Sequence, residues 1–309
     1  MSNKNLLSGR DKELQELAEQ YEAAMAENKP FYQDADELAD LADWYGTKKR
    51  YDKAFEIAEY GLKLHPDSTE LMIEYAYLHL DNGKKAKARE IIENLPDTYS
   101  PEAKVVRAHL LLSEGKLDDA EQLLDTIEDK ADLANVVDVS YMYLDMGYPD
   151  KALAWLDPVK EEYSDEEAYI AVVADCLYGK GMTEEAIPLY NRLIDMNPYS
   201  APYWFGLARC HFEEMNFNQA IDACDYALVG DDEFADAYVM KGHCFYQLGN
   251  EDAALEYYQK AEELHGLAPE FIYTYIGLCK VSKGEWKEGY ENLEKAILEN
   301  ETDEIASPI

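Results

Sequence analysis

Basic residues are scarce in this chain: 28 lysines and arginines stand against 65 aspartates and glutamates, a formal charge of -37. Such a charge repels nucleic acid and anionic membrane, so it argues against both as partners and favours a basic or neutral one. Long apolar runs are lacking too. No stretch of about eighteen apolar residues is present to span a bilayer, and the opening MSNKNLLSGR holds no apolar segment of a secretory signal. These absences predict a soluble, cytoplasmic protein. Cysteine is sparse, five in all with no C-x-x-C pair, which suits a reducing compartment better than a disulfide framework. No Gly-rich phosphate loop, H-E-x-x-H or G-x-S-x-G occurs, and GDDEFADAY lacks the alternating oxygen ligands of a calcium loop. Carboxylate pairs are so frequent that none stands out as an acid-base dyad. No enzymatic activity, cofactor or metal is therefore expected.

What is present is a rhythm. A length prior of about 150 residues per domain suggests two domains, but a repeat array would override it. Alanines in DKAFEIA, AKARE, DDAEQLL, DKALAWL, EEAIPLY, NQAIDAC and DAALEYY fall at Ala54, Ala88, Ala120, Ala152, Ala186, Ala220 and Ala254, at steps of 34, 32, 32, 34, 34 and 34, and a further step of 35 reaches Gly289. Twelve residues before each comes a small residue: Ala42, Ala76, Ala108, Ser140, Ala174, Ala208, Gly242 and Gly277. Five before each comes glycine, at 83, 115, 147, 181, 249 and 284, interrupted by Lys49 and Met215. Between these columns apolar residues recur at three- and four-residue steps, so each period reads as two amphipathic helices joined at the glycine. Small residues where the two helices face let their axes approach to about 8–10 Å. Asp52, Asp118, Asp150 and Asp252 are placed to cap the second helices. Pro96 and Pro158 fall near the ends of second helices in the shortened periods and should stop or kink them.

The segments YWFGLARCHFEEMNFNQAIDACDYAL and YVMKGHCFYQLGNEDAALEYYQKA resemble the tetratricopeptide repeat, with Trp204, Leu207, Ala208, Ala220 and Ala227, and with Pro66 and Pro198 at repeat ends, standing in that family's columns. The resemblance implies an all-α fold: a right-handed superhelical α-solenoid of antiparallel helix hairpins. It divides the chain into an N-terminal segment, 1–34, with one amphipathic covering helix over DKELQELAEQYEAAMAEN; a single solenoid, 35–299, of eight units starting near 35, 69, 101, 133, 167, 201, 235 and 270; and an acidic flexible tail, 300–309, the last helix ending near Leu298. Because one hairpin cannot bury its apolar face, stacking of neighbours stabilises the array.

Cys176, Cys210, Cys244 and Cys279 recur at steps of 34, 34 and 35 in a column otherwise held by Trp44, Leu78, Leu110 and Met142. They read as packing residues. Sulfurs separated by a helix-packing distance of about 8–10 Å cannot share a zinc, which holds two thiolates within about 4.6 Å. Cys210, His211 and Cys224 form the residual metal candidate, but adjacent helical residues point about 100° apart. The basic runs TKKR at 47–50 and GKKAKAR at 83–89 read as a localisation signal or an anion patch, or as solvated charges complementing the dipoles of the first helices.

In the family the first helix of each repeat lines the concave face and holds a peptide or an extended partner segment. Carried over by column, that lining includes Asp36, Asp40, Asp43, Glu70, Glu74, Tyr77, Glu102, His109, Asp138 and Tyr141, and then Phe205, Arg209, Phe212, His243 and Tyr246. The first group is acidic and the second aromatic, which implies a protein or peptide partner with basic residues and apolar ones. The lysines and asparagines by which chaperone-binding members clamp a C-terminal carboxylate are absent. The alternative reading is a self-assembling scaffold, a homodimer formed through an uncapped last repeat at Tyr290 and Ile297.

Overall fold

The computed structural model describes residues 11–27, 29–264 and 268–306, and every regular element among them is a helix. The chain divides into two compact units, residues 1–180 and 181–309. The first begins with α1 (Asp11–Ala26). Four helix pairs follow: α2 (Ala35–Thr47) with α3 (Tyr51–Leu64), α4 (Thr69–Asp81) with α5 (Lys85–Glu93), α6 (Pro101–Ser113) with α7 (Leu117–Leu124), and α8 (Leu133–Asp145) with α9 (Pro149–Leu156). A 3-10 turn (Asp157–Val159), the single-turn α10 (Lys160–Tyr163) and α11 (Glu167–Gly179) complete the unit, α11 packing on α8 and α9. The second unit holds α12 (Thr183–Met196), then α13 (Ala201–Glu213) with α14 (Phe217–Gly230), α15 (Ala235–Gln247) with α16 (Glu251–Glu263), and α17 (Pro269–Ser282) with α18 (Trp286–Ala306). Among the described residues no helix is long and apolar enough to cross a membrane.

The sequence columns explain the pairing. Ala54, Ala88, Ala120, Ala152, Ala186, Ala220 and Ala254 are all fully buried, as are Ala42, Ala76, Ala108, Ala174 and Ala208. Where the small column holds glycine, the reason is a ring: a Cβ built on Gly242 would lie 2.5 Å from Cε1 of Tyr258, itself buried. The turn column is left-handed throughout, with φ between +70° and +79° at its six glycines. Lys49 and Met215 adopt φ of 59° and 57°, so the two non-glycine members accept the strained conformation instead of altering the turn.

The aspartates assigned as caps are not caps. Asp52, Asp118, Asp150 and Asp252 lie inside the first turns of α3, α7, α9 and α16, whose N-cap residues are Arg50, Lys116, Tyr148 and Asn250. There they complement the helix dipole rather than bind an amide. Asp150 and Asp252 pair with Lys180 and Lys283 at 2.6 and 2.5 Å. Side-chain capping belongs mainly to the first helices: Asp34, Ser68, Ser100 and Asp132 accept from the amides of Glu37, Leu71, Ala103 and Asn135.

The shortened periods are paid out of the second helices. Helices α5, α7 and α9 have 9, 8 and 8 residues against 14 in α3, α12 and α14. Pro96 lies just beyond α5, and Pro158 breaks the helix after Leu156 into a 3-10 turn. At the N-terminus Leu14, Ala18 and Tyr21 of α1 are buried, and Arg50 pairs with Glu22 at 3.1 Å. At the C-terminus α18 continues to Ala306, eight residues past the expected end near Leu298. Glutamate and alanine in that stretch favour helix. Residues 307–309 lie outside the described ones.

Candidate partner-binding surfaces

In the first unit the first helices carry a row of acids. Asp36 and Glu70 are exposed, and Asp40, Glu102 and Asp138 half-buried. Asp43 and Glu74 are buried, 2% and 4% exposed. Burial pushes the Glu74 carboxyl well above the usual carboxylate range, and Asp43, Asp81 and Asp40 push it further. Tyr77, His109 and Tyr141 run beside the acids and are buried as well, at 7%, 8% and 8% exposure. They therefore present little open surface. The Tyr77 and His109 rings lie 5.7 Å apart, and the Tyr141 hydroxyl donates to Asp175 at 3.4 Å. Burial raises the Tyr77 hydroxyl, with Asp138, Glu74, Asp145 and Asp81 adding to it, and lowers the His109 imidazole to about 4.

Asp81, Asp145 and Asp175 thus belong to the same acidic row, and the sequence reading did not name them. A signal existed. Asp81 and Asp145 each stand four residues after a tyrosine of the lining, Tyr77 and Tyr141, one helical turn along the same face.

In the second unit the aromatic group is only partly gathered. Phe212, His243 and Tyr246 meet Gln247, Tyr258, Tyr275 and Leu278 around a half-open cavity of about 300 Å³. His243 Nδ1 lies 2.7 Å from the Tyr258 hydroxyl, and its ring meets Tyr275 edge-on at 4.5 Å. Burial lowers the imidazole and raises the Tyr258 hydroxyl, so both are uncharged at neutral pH and share one hydrogen bond. Phe205 and Arg209 stand apart from this cavity. The Arg209 guanidinium sits over the Phe205 ring at 5.6 Å and donates to the Tyr190 hydroxyl at 3.3 Å. Tyr258 was missed because it lies on a second helix; Tyr275 stands on the first helix α17 in the column of Asp40, Glu74 and Asp138, so the column rule would have found it had it been carried into the last repeat. Tyr290 and Ile297 are exposed on α18, at 68% and 61%, with Trp286 and Leu298 nearby in sequence also open.

All five cysteines are free thiols and buried. Burial raises the thiols of Cys176 and Cys244 to about 12 and of Cys279 to about 11, and raises that of Cys224 as well. The residual trio is a packing feature: Cys210 and Cys224 are fully buried, and burial lowers His211.

Residues 47–108 match the family model described as tetratricopeptide repeat, and residues 179–261 that described as anaphase-promoting complex, cyclosome, subunit 3. The chain thus carries tetratricopeptide-type repeats in an all-helical fold. Among solved structures it is similar to a tetratricopeptide repeat protein from Parabacteroides merdae, with a TM-score of 0.55, 18% identity, and 79% of this chain and 98% of that one covered. That likeness supports the fold. It is also similar to MamA from Desulfovibrio magneticus, with a TM-score of 0.49, 18% identity, and 57% of this chain and 98% of that one covered. With the APC/C hetero-tetramer Cut9-Hcn1 the TM-score is 0.47 and the identity 15%, over 87% of this chain and 73% of that one. No curated protein matches the chain in sequence.

Proposed function

We propose that this chain of tetratricopeptide-type repeats is a non-enzymatic scaffold that binds other proteins through the first helices of its repeats. The first unit takes basic residues of a partner segment, and the cavity of the second unit takes an apolar side chain. The observation that carries this reading is the acidic row itself. Asp36, Asp40, Glu70 and Asp138 remain accessible beside buried Asp43 and Glu74, in a chain whose charge of -37 already concentrates cations around it. The cavity beside Phe212 and Tyr246 has the volume of one large side chain and an uncharged lining.

Selection of random displayed peptides against the chain tests this. Binders enriched in arginine, lysine and apolar residues, released as salt rises from about 0.05 to about 0.5 M, are the expected outcome. Neutral or acidic binders, or binding indifferent to salt, would refute it. Asp36→Asn, Asp40→Asn and Glu70→Gln are better probes than truncation of Tyr77, because Tyr77 is buried and its loss would disturb the fold.

A second reading rests on the open apolar residues Trp286, Tyr290, Ile297 and Leu298 of α18. In it α18 covers a second copy of the chain. Light scattering across a concentration series decides: a mass that doubles with concentration, and stays monomeric in Tyr290→Glu, supports dimerisation, whereas one monomeric mass throughout excludes it.

A further inference from the structure

The cavity of the second unit is walled by rings from four helices. Phe212 of α13, His243 and Tyr246 of α15, Tyr258 of α16 and Tyr275 of α17 surround a space of about 300 Å³. They do not form one stack. The Phe212, Tyr258 and Tyr275 rings meet His243 at interplanar angles of 49°, 64° and 75°, so the walls turn around the space. Tyr258, 1% exposed, is the floor, whereas Phe212, Tyr246 and Tyr275 are half-buried and reachable from solvent. Among the described residues the lining holds no charged side chain, and burial alone lowers the His243 imidazole, which leaves it neutral at neutral pH. The cations nearest to the lining in sequence are engaged elsewhere: Arg209 with Phe205 and Tyr190, Lys241 with Asp225 at 2.5 Å and with the Tyr257 ring, Lys260 with Glu263, and Lys280 with Glu285. Around this neutral box the field favours cations, since residues 181–309 hold 8 lysines and arginines against 25 aspartates and glutamates.

We propose that this cavity receives a quaternary ammonium group, the trimethylated end of a lysine on the partner segment. Three kinds of group fit the space, and their chemistry separates them. An unmethylated ammonium must give up strong hydration, and the lining offers no carboxylate to replace it. A neutral apolar group gains from burial but nothing from the negative ring faces or the surrounding field. A trimethylammonium carries its charge beneath an apolar methyl surface and has no N–H left to satisfy, so burial, ring faces and field all favour it. The inference rests on the reading that the cavity takes an apolar group from a basic partner segment, and adds that this group is itself a cation.

Isothermal titration calorimetry of the full chain tests it with three probes: the N-acetyl amides of trimethyl-lysine, of lysine, and of the neutral isostere in which carbon replaces the quaternary nitrogen. Trimethyl-lysine is expected to bind about tenfold more tightly than either. The comparison with lysine removes the general attraction of the acidic chain for cations, and the comparison with the isostere removes apolar burial. Phe212→Leu and Tyr246→Leu keep apolar surface but lose a ring, so each should weaken trimethyl-lysine about fivefold and change the isostere less than about twofold. Tyr246→Phe should keep the preference. Circular dichroism checks that each variant is folded, and if one leucine variant is not, the other is read. An isostere that binds as tightly as trimethyl-lysine would overturn the inference and leave the apolar reading of the cavity standing. Lysine binding as tightly as trimethyl-lysine, or a preference that both leucine variants retain, would also overturn the inference. No binding of trimethyl-lysine or of the isostere would overturn the inference together with the cavity's part in the function proposed above.

Discussion

His79 is a histidine where the fold has no use for a charge, and its substitution by phenylalanine gives a quantitative check on the packing described above. The side chain is 7% exposed, and both ring nitrogens are buried without a hydrogen-bond partner among the described residues. The ring packs between Phe55 and Tyr75, with centroids 4.9 and 4.6 Å away. Burial lowers its value to about 4, with Lys84 and Lys87 pushing the same way. The folded value is depressed below the unfolded 6.5, so the neutral form is what folding favours. The stabilisation is fully present above the unfolded value, fades as pH falls from 6.5, and is gone below about 4. Those two values give a loss of about 2 kcal/mol between about pH 7.5 and pH 5. His79→Phe removes that share while keeping a ring in the stack, as Phe245 does in the corresponding column. Urea unfolding followed by circular dichroism at the two pH values should therefore show the wild-type chain losing about 2 kcal/mol more than the variant. His109, lowered in the same way, contributes equally to both proteins and cancels in the difference. Equal losses in the two proteins would show that His79 is solvated or already paired, and the reasoning would fail.

Met215 holds a left-handed turn at φ 57° with its side chain 75% exposed, so Met215→Gly relieves strain without losing packing and should stabilise the chain by about 0.5–1 kcal/mol in urea unfolding. Gly242→Ala should cost about 1–3 kcal/mol in the same assay, because the new methyl would meet the buried ring of Tyr258 at 2.5 Å. A neutral Gly242→Ala would mean that the two helices are not held at this separation. The buried thiols, Cys176 and Cys244 raised to about 12 among them, should react with a thiol reagent slowly in the native chain at pH 8 and at once after denaturation. Fast native reaction would contradict the cysteine column's burial.

The helical hairpins were legible in the sequence because close packing leaves periodic traces. Only small residues fit at Ala42, Ala76 or Gly242, and only a left-handed residue fits the turn at Gly83 or Gly249. Cysteine in a column otherwise held by Leu78 and Met142 was legible as core for the same reason. What the pattern hid depends on neighbours it does not encode. Tyr77, His109 and Tyr141 occupy lining columns yet are buried, since a column says which way a side chain leaves its helix and not what covers it. The cavity beside His243 draws Tyr258 from a second helix and Tyr275 from the next repeat, a meeting that is set by packing in three dimensions. Asp118 does not cap α7, as Ser68 and Asp132 cap their helices, because it lies two residues past the cap position, inside the first turn.

The claim at the centre of this account is that the first helices are the recognition surface, and amide hydrogen exchange of the full chain with and without hexa-arginine measures it directly. Protection confined to α2, α4 and α6, with α3, α5 and α7 unchanged, is the predicted result. Protection of the second helices, or none anywhere while the peptide is bound, would contradict it.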